Sequence, residues 1–146
     1  MGYFEIKQQA KKIYSKIGQI PCPSLGGEYV KFNRLGFNHL IRKGHVPRPK
    51  SEQKRRLLLL KHAEQIVKNP KAKIYFRQTE EKYFINRHGQ KILTTSIAKF
   101  WTLVETIEKK KIKLVVRQLG DGQKHFLSIM ESDRHKKYVR HQQKSR

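Results

Sequence analysis

The strongest constraint on the fold of this chain is a change of hydrophobic period at Asn69-Pro70. Before this point apolar residues recur at the three- and four-residue spacing of helices, and after it they follow the pattern of strands. Helices followed by strands predict an α+β fold, with N-terminal helices packed on one face of a four- to five-stranded, mainly antiparallel curved sheet.

Three helices are predicted before the boundary, over 4–17, 34–43 and 51–68, with a short strand over 28–32. Asn33 is a suitable N-cap for the second helix, since its side chain can accept a hydrogen bond from the first turn. The apolar stripes of the three helices are Ile6, Ala10, Ile13 and Ile17; Phe37, Leu40 and Ile41; and Leu59, Ala63, Ile66 and Val67.

Six strands are predicted after the boundary, over 72–78, 82–87, 91–94, 98–107, 112–119 and 123–130. In the last hairpin, a two-residue turn at Asp121-Gly122 would set Gln118 opposite His125, Arg117 opposite Phe126, Val116 opposite Leu127, and Val115 opposite Ser128. One face would then carry Ile112, Leu114, Val116, Leu127 and Ile129, and the other Lys113, Arg117, Lys124, Phe126 and Ser128. Cations beside an aromatic ring are typical of surfaces that bind single-stranded RNA, although a solvated charged face is an equal alternative.

The position of His125 depends on the register of this hairpin. The two-residue turn places it on the core side near the tip, whereas a one-residue bulge around Gly120 would move it to the charged face.

The formal net charge of +23 limits the classes of partner. A strongly basic chain attracts polyanions, and nucleic acid is the commonest, followed by anionic membranes. No segment approaches the roughly 20 apolar residues that span a bilayer, and the N-terminus lacks a hydrophobic signal core. Cys22 is the only cysteine, which excludes an internal disulfide. We therefore expect a cytoplasmic protein that binds RNA rather than DNA, and no membrane association.

The acidic residues argue against metal-dependent nuclease chemistry. The chain has two aspartates, Asp121 and Asp133, and its glutamates are scattered, so no carboxylate cluster for magnesium is expected. RNA can also be cleaved without a metal or cofactor, when a general base activates the 2′-hydroxyl and arginine or lysine stabilises the phosphorane. Histidine suits this role because its pKa lies near neutrality.

His39 is the leading candidate among the seven histidines, because helix 34–43 places it away from the apolar stripe and beside Arg42 and Lys43. His125 is the second candidate. For each, an ordinary surface histidine is the alternative interpretation.

The chain resembles the barnase–EndoU–colicin–RelE group of metal-independent ribonucleases. The resemblance is carried by the segment YVKF at 29–32, the short helix with His39, the longer helix ending at Asn69-Pro70, and the antiparallel sheet that follows. The closing block 113–129 is similar to the final hairpin of phage and bacterial toxin members, although Leu127 stands where those members carry a second aromatic residue.

The resemblance covers residues 28–131 and leaves outside it an N-terminal basic helix and loop, 1–27, and a basic tail, 132–146. It implies cleavage of RNA, often tRNA or ribosome-associated RNA, by a toxin that an acidic antitoxin or immunity protein holds. The residues that the resemblance matches to an active site are His39, Arg117, His125 and Ser128, with Arg117 and Lys124 for phosphate. We also expect RNA binding by Arg42 and Lys43 on the basic face of helix 34–43, and by Lys113, Lys124 and Phe126 on the charged face of the last hairpin.

Two further functions stay open at this point. A non-catalytic basic RNA-binding protein explains the charge equally well, and a DNA-binding protein is a weaker alternative because no helix-turn-helix spacing is present. An enzyme requires histidine, arginine and serine side chains to meet at one place, whereas a binding protein requires only distributed cations.

Overall fold

The computed structural model describes residues 1–132, so the expected basic tail lies almost entirely outside the described residues. The helices are α1 (Tyr3–Ile17), α2 (Arg34–Ile41), α3 (Lys50–Leu59) and α4 (Ala63–Lys68), with 3-10 turns at Pro23–Leu25 and Leu60–His62. The strands are β1 (Gln19–Cys22), β2 (Glu28–Lys31), β3 (Arg42–Lys43), β4 (Val46–Pro47), β5 (Lys73–Arg87), β6 (Gln90–Ile107), β7 (Lys110–Leu119) and β8 (His125–Glu131).

The main sheet has six strands in the order β1-β2-β8-β7-β6-β5, and β3 and β4 form a separate two-stranded sheet. All neighbours in the main sheet are antiparallel except β2 and β8, which are parallel through Lys31 and His125. The predicted α+β class with helices on a mainly antiparallel sheet is therefore confirmed, with one or two strands more than expected.

Strands β5 and β6 are longer than predicted, because each joins two predicted strands into one. Strand β7 pairs with β6 only as far as Ala98 opposite Leu119. Residues 80–97, which we call the distal arm, continue beyond this point as a two-stranded hairpin. The hydrophobic pattern is interrupted there because neither face of the distal arm covers a core, so polar residues alternate irregularly with apolar ones.

The core lies between the helices and one face of the main sheet. Ile6, Ala10 and Tyr14 of α1 belong to the same apolar cluster as Leu114 and Ile129 of the last hairpin. Residues 1–27 are thus packed into the same core as the rest of the chain, and the boundary at residue 27 corresponds to no break in packing.

Helix α2 packs closely on strand β8. The Asn33 side chain accepts a hydrogen bond from the Gly36 amide at 3.2 Å, as expected for an N-cap. Gly36 faces β8 without a side chain, and a Cβ at this position would lie 2.4 Å from the Phe126 carbonyl oxygen. This contact places the second turn of α2, and with it His39, next to the last hairpin.

Helix α2 ends at Ile41, two residues before the predicted end. Arg42 and Lys43 instead form strand β3, which pairs with β4 through a turn at Gly44. Across residues 1–132, the helices all fall short of the length and apolar character that a membrane crossing requires.

Candidate functional site

The register of the last hairpin differs from the prediction near its tip. Arg117 lies opposite His125 and Val116 opposite Phe126, whereas Val115 lies opposite Ser128 as predicted. The predicted pairs of Gln118 with His125, Arg117 with Phe126, and Val116 with Leu127 are therefore wrong. The connection between the strands spans residues 120–124, and Leu127 is an additional residue that forms a bulge and restores the predicted register from Ser128 onwards.

Phe126 belongs to the core as a result of this shift, not to the charged face. It is fully buried, and its ring stacks on Phe32 at a centroid distance of 4.9 Å. Tyr14 contacts the same ring edge-on at 5.7 Å. The predicted role of Phe126 in stacking an RNA base is incompatible with this position.

Lys124 is the second predicted RNA-binding residue that the structure places elsewhere. Its side chain is 8 % exposed, its Nζ lies 2.8 Å from Glu28 Oε1, and it lies over the Trp101 ring at 4.8 Å. Because its charge is already paired and desolvated, Lys124 fixes the loop before β8 and is not positioned to contact phosphate.

His125 lies on the same face of the hairpin as Arg117, since residues opposite each other share a face. The Arg117 Nε donates a hydrogen bond to His125 Nε2 at 3.0 Å. Burial, followed by the charge of Arg117, lowers the pKa of His125, whereas a backbone hydrogen bond at Gln123 opposes this shift. His125 is therefore a neutral imidazole whose Nε2 lone pair is occupied by Arg117.

Ser128 follows the bulge residue Leu127 directly on β8 and is buried. Its hydroxyl accepts a hydrogen bond from Arg56 Nη1 at 2.7 Å, which links helix α3 to the last hairpin. A cleft of about 400 Å³ opens beside this contact, lined in part by Arg55, Arg56 and Met130.

A charged ladder is formed by Arg48, just before α3, together with Glu52 and Arg56 on α3. Glu52 Oε2 accepts hydrogen bonds from Arg48 Nη1 at 2.8 Å and from Arg56 Nε at 3.1 Å. Burial opposes ionisation of Glu52, but the positive charges of Arg56 and Arg48 outweigh it and lower its pKa. Arg48 Nε also donates to the His39 carbonyl oxygen at 2.9 Å, so the ladder joins α3 to α2.

Sequence reasoning missed Arg48 and Arg56. The four-residue spacing of Arg48, Glu52 and Arg56 was a usable signal, because such residues lie on one face of a helix. This spacing was not recognised because Arg48 lies in the proline-rich segment before α3 and precedes the first helical residue.

His39 lies where these elements meet. Its Nδ1 is buried and has no hydrogen-bond partner within residues 1–132. Burial lowers the pKa of His39 to about 4, and nearby positive charges act in the same direction. In decreasing order those charges belong to Arg48, Arg56, Arg117 and Lys43. His39 is therefore neutral at pH 7, and it is surrounded by cations from α3, β3 and β7.

These contacts define the cationic cluster, which consists of His39, Arg48, Glu52, Arg56, Arg117, His125 and Ser128. Three guanidinium groups outweigh the single carboxylate, and both imidazoles are neutral, so the cluster carries a net positive charge. Planar guanidinium groups match phosphate geometry well, and a neutral imidazole accepts a proton. The cluster is thus suited to bind a phosphodiester, and His39 can take up a proton beside it only as a weak base, because its pKa is about 4.

The face of the sheet opposite the core, which we call the outer face, extends the cluster across five strands. The row Arg77, Phe100, Arg117, His125 and Lys31 is aligned by strand register. The Arg77 guanidinium lies over the Phe100 ring at 4.0 Å and is exposed to solvent. Lys113 lies on the outer face, as predicted, opposite Met130, and Tyr75 is an exposed aromatic residue on it. The aromatic and cationic residues of this face therefore come mainly from β5–β7 and not from β8.

Arg42 and Lys43 are exposed on β3, where Arg42 Nη1 donates to the His45 carbonyl oxygen at 3.4 Å. Lys43 is close enough to His39 to influence its pKa. In the described part of the chain, no three His, Cys, Asp or Glu side chains come together as ligands for a metal ion.

Comparison of the chain with protein-family models, with curated proteins and with solved structures returns no match.

Proposed function

We propose that this protein is a metal-independent endoribonuclease that cleaves RNA by attack of its own 2′-hydroxyl group. The observation that carries this proposal is a chain of hydrogen bonds that joins α2, α3 and β8. It begins at the His39 carbonyl oxygen, passes through Arg48, Glu52 and Arg56, and ends at Ser128. The charges of Arg56 and Arg117 also lower the pKa of His39. Distributed cations would suffice for a binding protein. A half-buried, neutral histidine whose pKa is lowered by nearby arginines is costly to fold, and such perturbed groups concentrate at functional sites.

In the proposed reaction, His39 accepts the proton of the 2′-hydroxyl, and the 2′-oxygen attacks the adjacent phosphorus. The bond from phosphorus to the 5′-oxygen breaks, which leaves a 2′,3′-cyclic phosphate and a 5′-hydroxyl that takes its proton from solvent. Arg56 and Arg117 stabilise the additional negative charge of the phosphorane. Ser128 and Glu52 hold Arg56 in position, and Arg48 holds the end of α2.

A non-catalytic RNA-binding protein is the second candidate. It is favoured by the row of cations on the outer face and by the hydrogen bond that occupies His125 Nε2. In this case the cationic cluster holds a phosphate without cleaving the chain.

Cleavage in the absence of divalent metals decides between the two candidates. Purified protein is incubated in EDTA with total tRNA and with ribosomes, and the products are separated on a denaturing gel. We expect fragments that end in a 2′,3′-cyclic phosphate, and no cleavage at a site whose 2′-hydroxyl is methylated. Intact RNA under all these conditions, or cleavage only with magnesium, would establish the binding function instead.

The histidine requirement is tested with a matched pair of variants. A positioned general base contributes about 10²- to 10⁴-fold, so His39→Ala is expected to reduce cleavage by that factor and to change RNA binding only a few-fold. His88→Asn is the control, because His88 is exposed in the turn of the distal arm with a φ of 53° that asparagine tolerates.

The resemblance to toxin ribonucleases adds a protein partner to this proposal. Such an activity in the cytoplasm would require restraint, and an acidic antitoxin or immunity protein is the natural complement of a chain with a net charge of +23.

A further inference from the structure

The distal arm projects from the sheet with little support. Beyond Ala98 its two strands pair only with each other, and the turn at His88 and Gly89 closes them. An isolated two-stranded hairpin is marginally stable in water. At the base of the distal arm the Ile97 carbonyl oxygen accepts a hydrogen bond from the Gly120 amide at 2.8 Å, whereas towards the tip most side chains on both faces are exposed.

Large apolar side chains are exposed along the distal arm. Phe84 and Leu93 are opposite each other and are 67 % and 55 % exposed, and Ile97 continues the same face. Tyr83 and Ile92 are exposed on the other face. Exposed large apolar side chains on both faces, such as the Phe84 and Leu93 pair, favour an interaction surface.

The charge of the distal arm differs from that of the rest of the molecule. It contains three basic and two acidic residues, which gives +1 out of the total of +23. A surface that binds nucleic acid would be rich in cations. Two copies of such a highly charged chain repel each other over most of their surface. The surface that joins them is therefore expected to be the least charged part of the molecule.

The charges are also separated along the distal arm. Glu80 and Glu81 lie at its base, whereas Arg87 and Lys91 lie near its tip. If two β5 strands pair antiparallel about a two-fold axis at Phe84, Glu81 of one copy faces Arg87 of the other, and the reverse. Parallel pairing in register would place like charges together, which is unfavourable.

We propose that the distal arm is a dimerisation element, through which two copies of this chain pair β5 against β5 in antiparallel orientation. The two-fold arrangement lets the same patch serve both copies, as in most homodimers. It also covers the unpaired edge of β5, which would otherwise favour uncontrolled aggregation.

The mass of the full chain in solution tests this proposal. Protein freed of nucleic acid is examined by sedimentation over a series of concentrations, at an ionic strength that screens the net charge. We expect a concentration-dependent dimer, with a dissociation constant that Phe84→Ser raises by at least about tenfold. Phe4→Ser is the matched control, because Phe4 on α1 is 70 % exposed and lies outside the distal arm. Circular dichroism confirms that both variants are folded.

Exchanging the charges of the distal arm distinguishes the proposed pairing from non-specific association. The double variant Glu80→Lys/Glu81→Lys is expected to weaken the dimer. The double variant Arg87→Glu/Lys91→Glu is expected to weaken it as well. The four substitutions together are expected to restore it. A wild-type chain that stays monomeric throughout the series, or that uses the distal arm only to bind RNA or another protein, would overturn the proposal. Equal dimerisation of wild type and Phe84→Ser would do the same.

Discussion

At the scale of single residues, the two histidines of the cationic cluster differ in the atoms that they leave available. The Nε2 of His125 accepts a hydrogen bond from Arg117, so its lone pair cannot receive a proton until Arg117 moves away. The Nδ1 of His39 is buried and has no partner in the described chain, so a substrate proton can reach this residue only at Nε2. A phosphate that binds Arg117 would compete with His125 for the guanidinium group, so substrate binding and the state of His125 are coupled.

The lowered pKa of His39 predicts acid-sensitive stability. The unfolded chain protonates this residue near pH 6.5, whereas the folded chain does so only near pH 4. Between these values the unfolded state binds more protons, so stability is complete above about pH 6.5 and decreases as the pH falls towards 4. Burial and Arg117 shift the pKa of His125 in the same direction.

We therefore expect the melting temperature to fall between about pH 6.5 and 4, and to fall less in His39→Gln than in the wild type. Thermal unfolding followed by circular dichroism at several pH values measures both slopes. Carboxylates such as Glu52 affect the two proteins alike, so identical slopes would mean that His39 is not buried as a neutral group.

The link between α3 and β8 also depends on one side chain. Arg56 uses Nε for Glu52 and Nη1 for Ser128, and the single ammonium group of a lysine cannot reproduce this fixed geometry. We expect Arg56→Lys to reduce cleavage by at least about tenfold although the net charge is unchanged. Arg55→Lys on the same helix is the control. Equal activities of the two variants would show that only charge matters at this position.

At the scale of elements, the close contact of α2 with β8 determines where His39 lies. Replacing Gly36 with alanine would place a Cβ 2.7 Å from Phe126 Cδ2 and from Tyr14 Oη, in addition to its clash with the Phe126 carbonyl oxygen. A backbone atom cannot move away as a flexible side chain can, so α2 would have to shift.

We expect Gly36→Ala to lower the free energy of unfolding by about 1–3 kcal/mol, as overpacking typically does, and to impair the cluster. The intrinsic helix preference of alanine acts in the opposite direction, so any loss measured in urea reports the packing contact. Leu35→Ala is the control on an exposed position of the same helix. A Gly36→Ala protein as stable as the wild type would show that α2 and β8 are separated by more space.

At the scale of the whole molecule, the distribution of charge predicts how RNA binding responds to salt. If about 5–8 phosphates are neutralised, affinity for single strands should fall with a log–log slope of about −4 to −6. Arg77→Gln and Arg117→Gln on the outer face are expected to weaken binding more than Lys16→Gln on α1. Filter binding at several salt concentrations measures both effects. Equal losses from all three substitutions would mean that the outer face is not the binding surface.

The amino-acid sequence by itself determined the class of fold and the position of most helices. The apolar stripe of the third predicted helix, Leu59, Ala63, Ile66 and Val67, is buried as a whole, although a 3-10 turn at Leu60–His62 divides that helix into α3 and α4. Asn33 likewise caps α2 as predicted, since capping involves only neighbouring residues. The predicted strands 112–119 and 123–130 match β7 and β8 to within two residues at each end.

The tertiary structure alone decided which side chains meet. A bulge at Leu127 exchanged the faces of His125 and Phe126, because shifting a strand by one residue reverses every side chain beyond the shift. Arg48 and Arg56 became part of the cluster only because α3 packs beside α2 and β8, and these contacts join residues far apart in the chain. Local patterns specify elements, whereas a site assembled from α2, α3, β7 and β8 depends on how those elements pack.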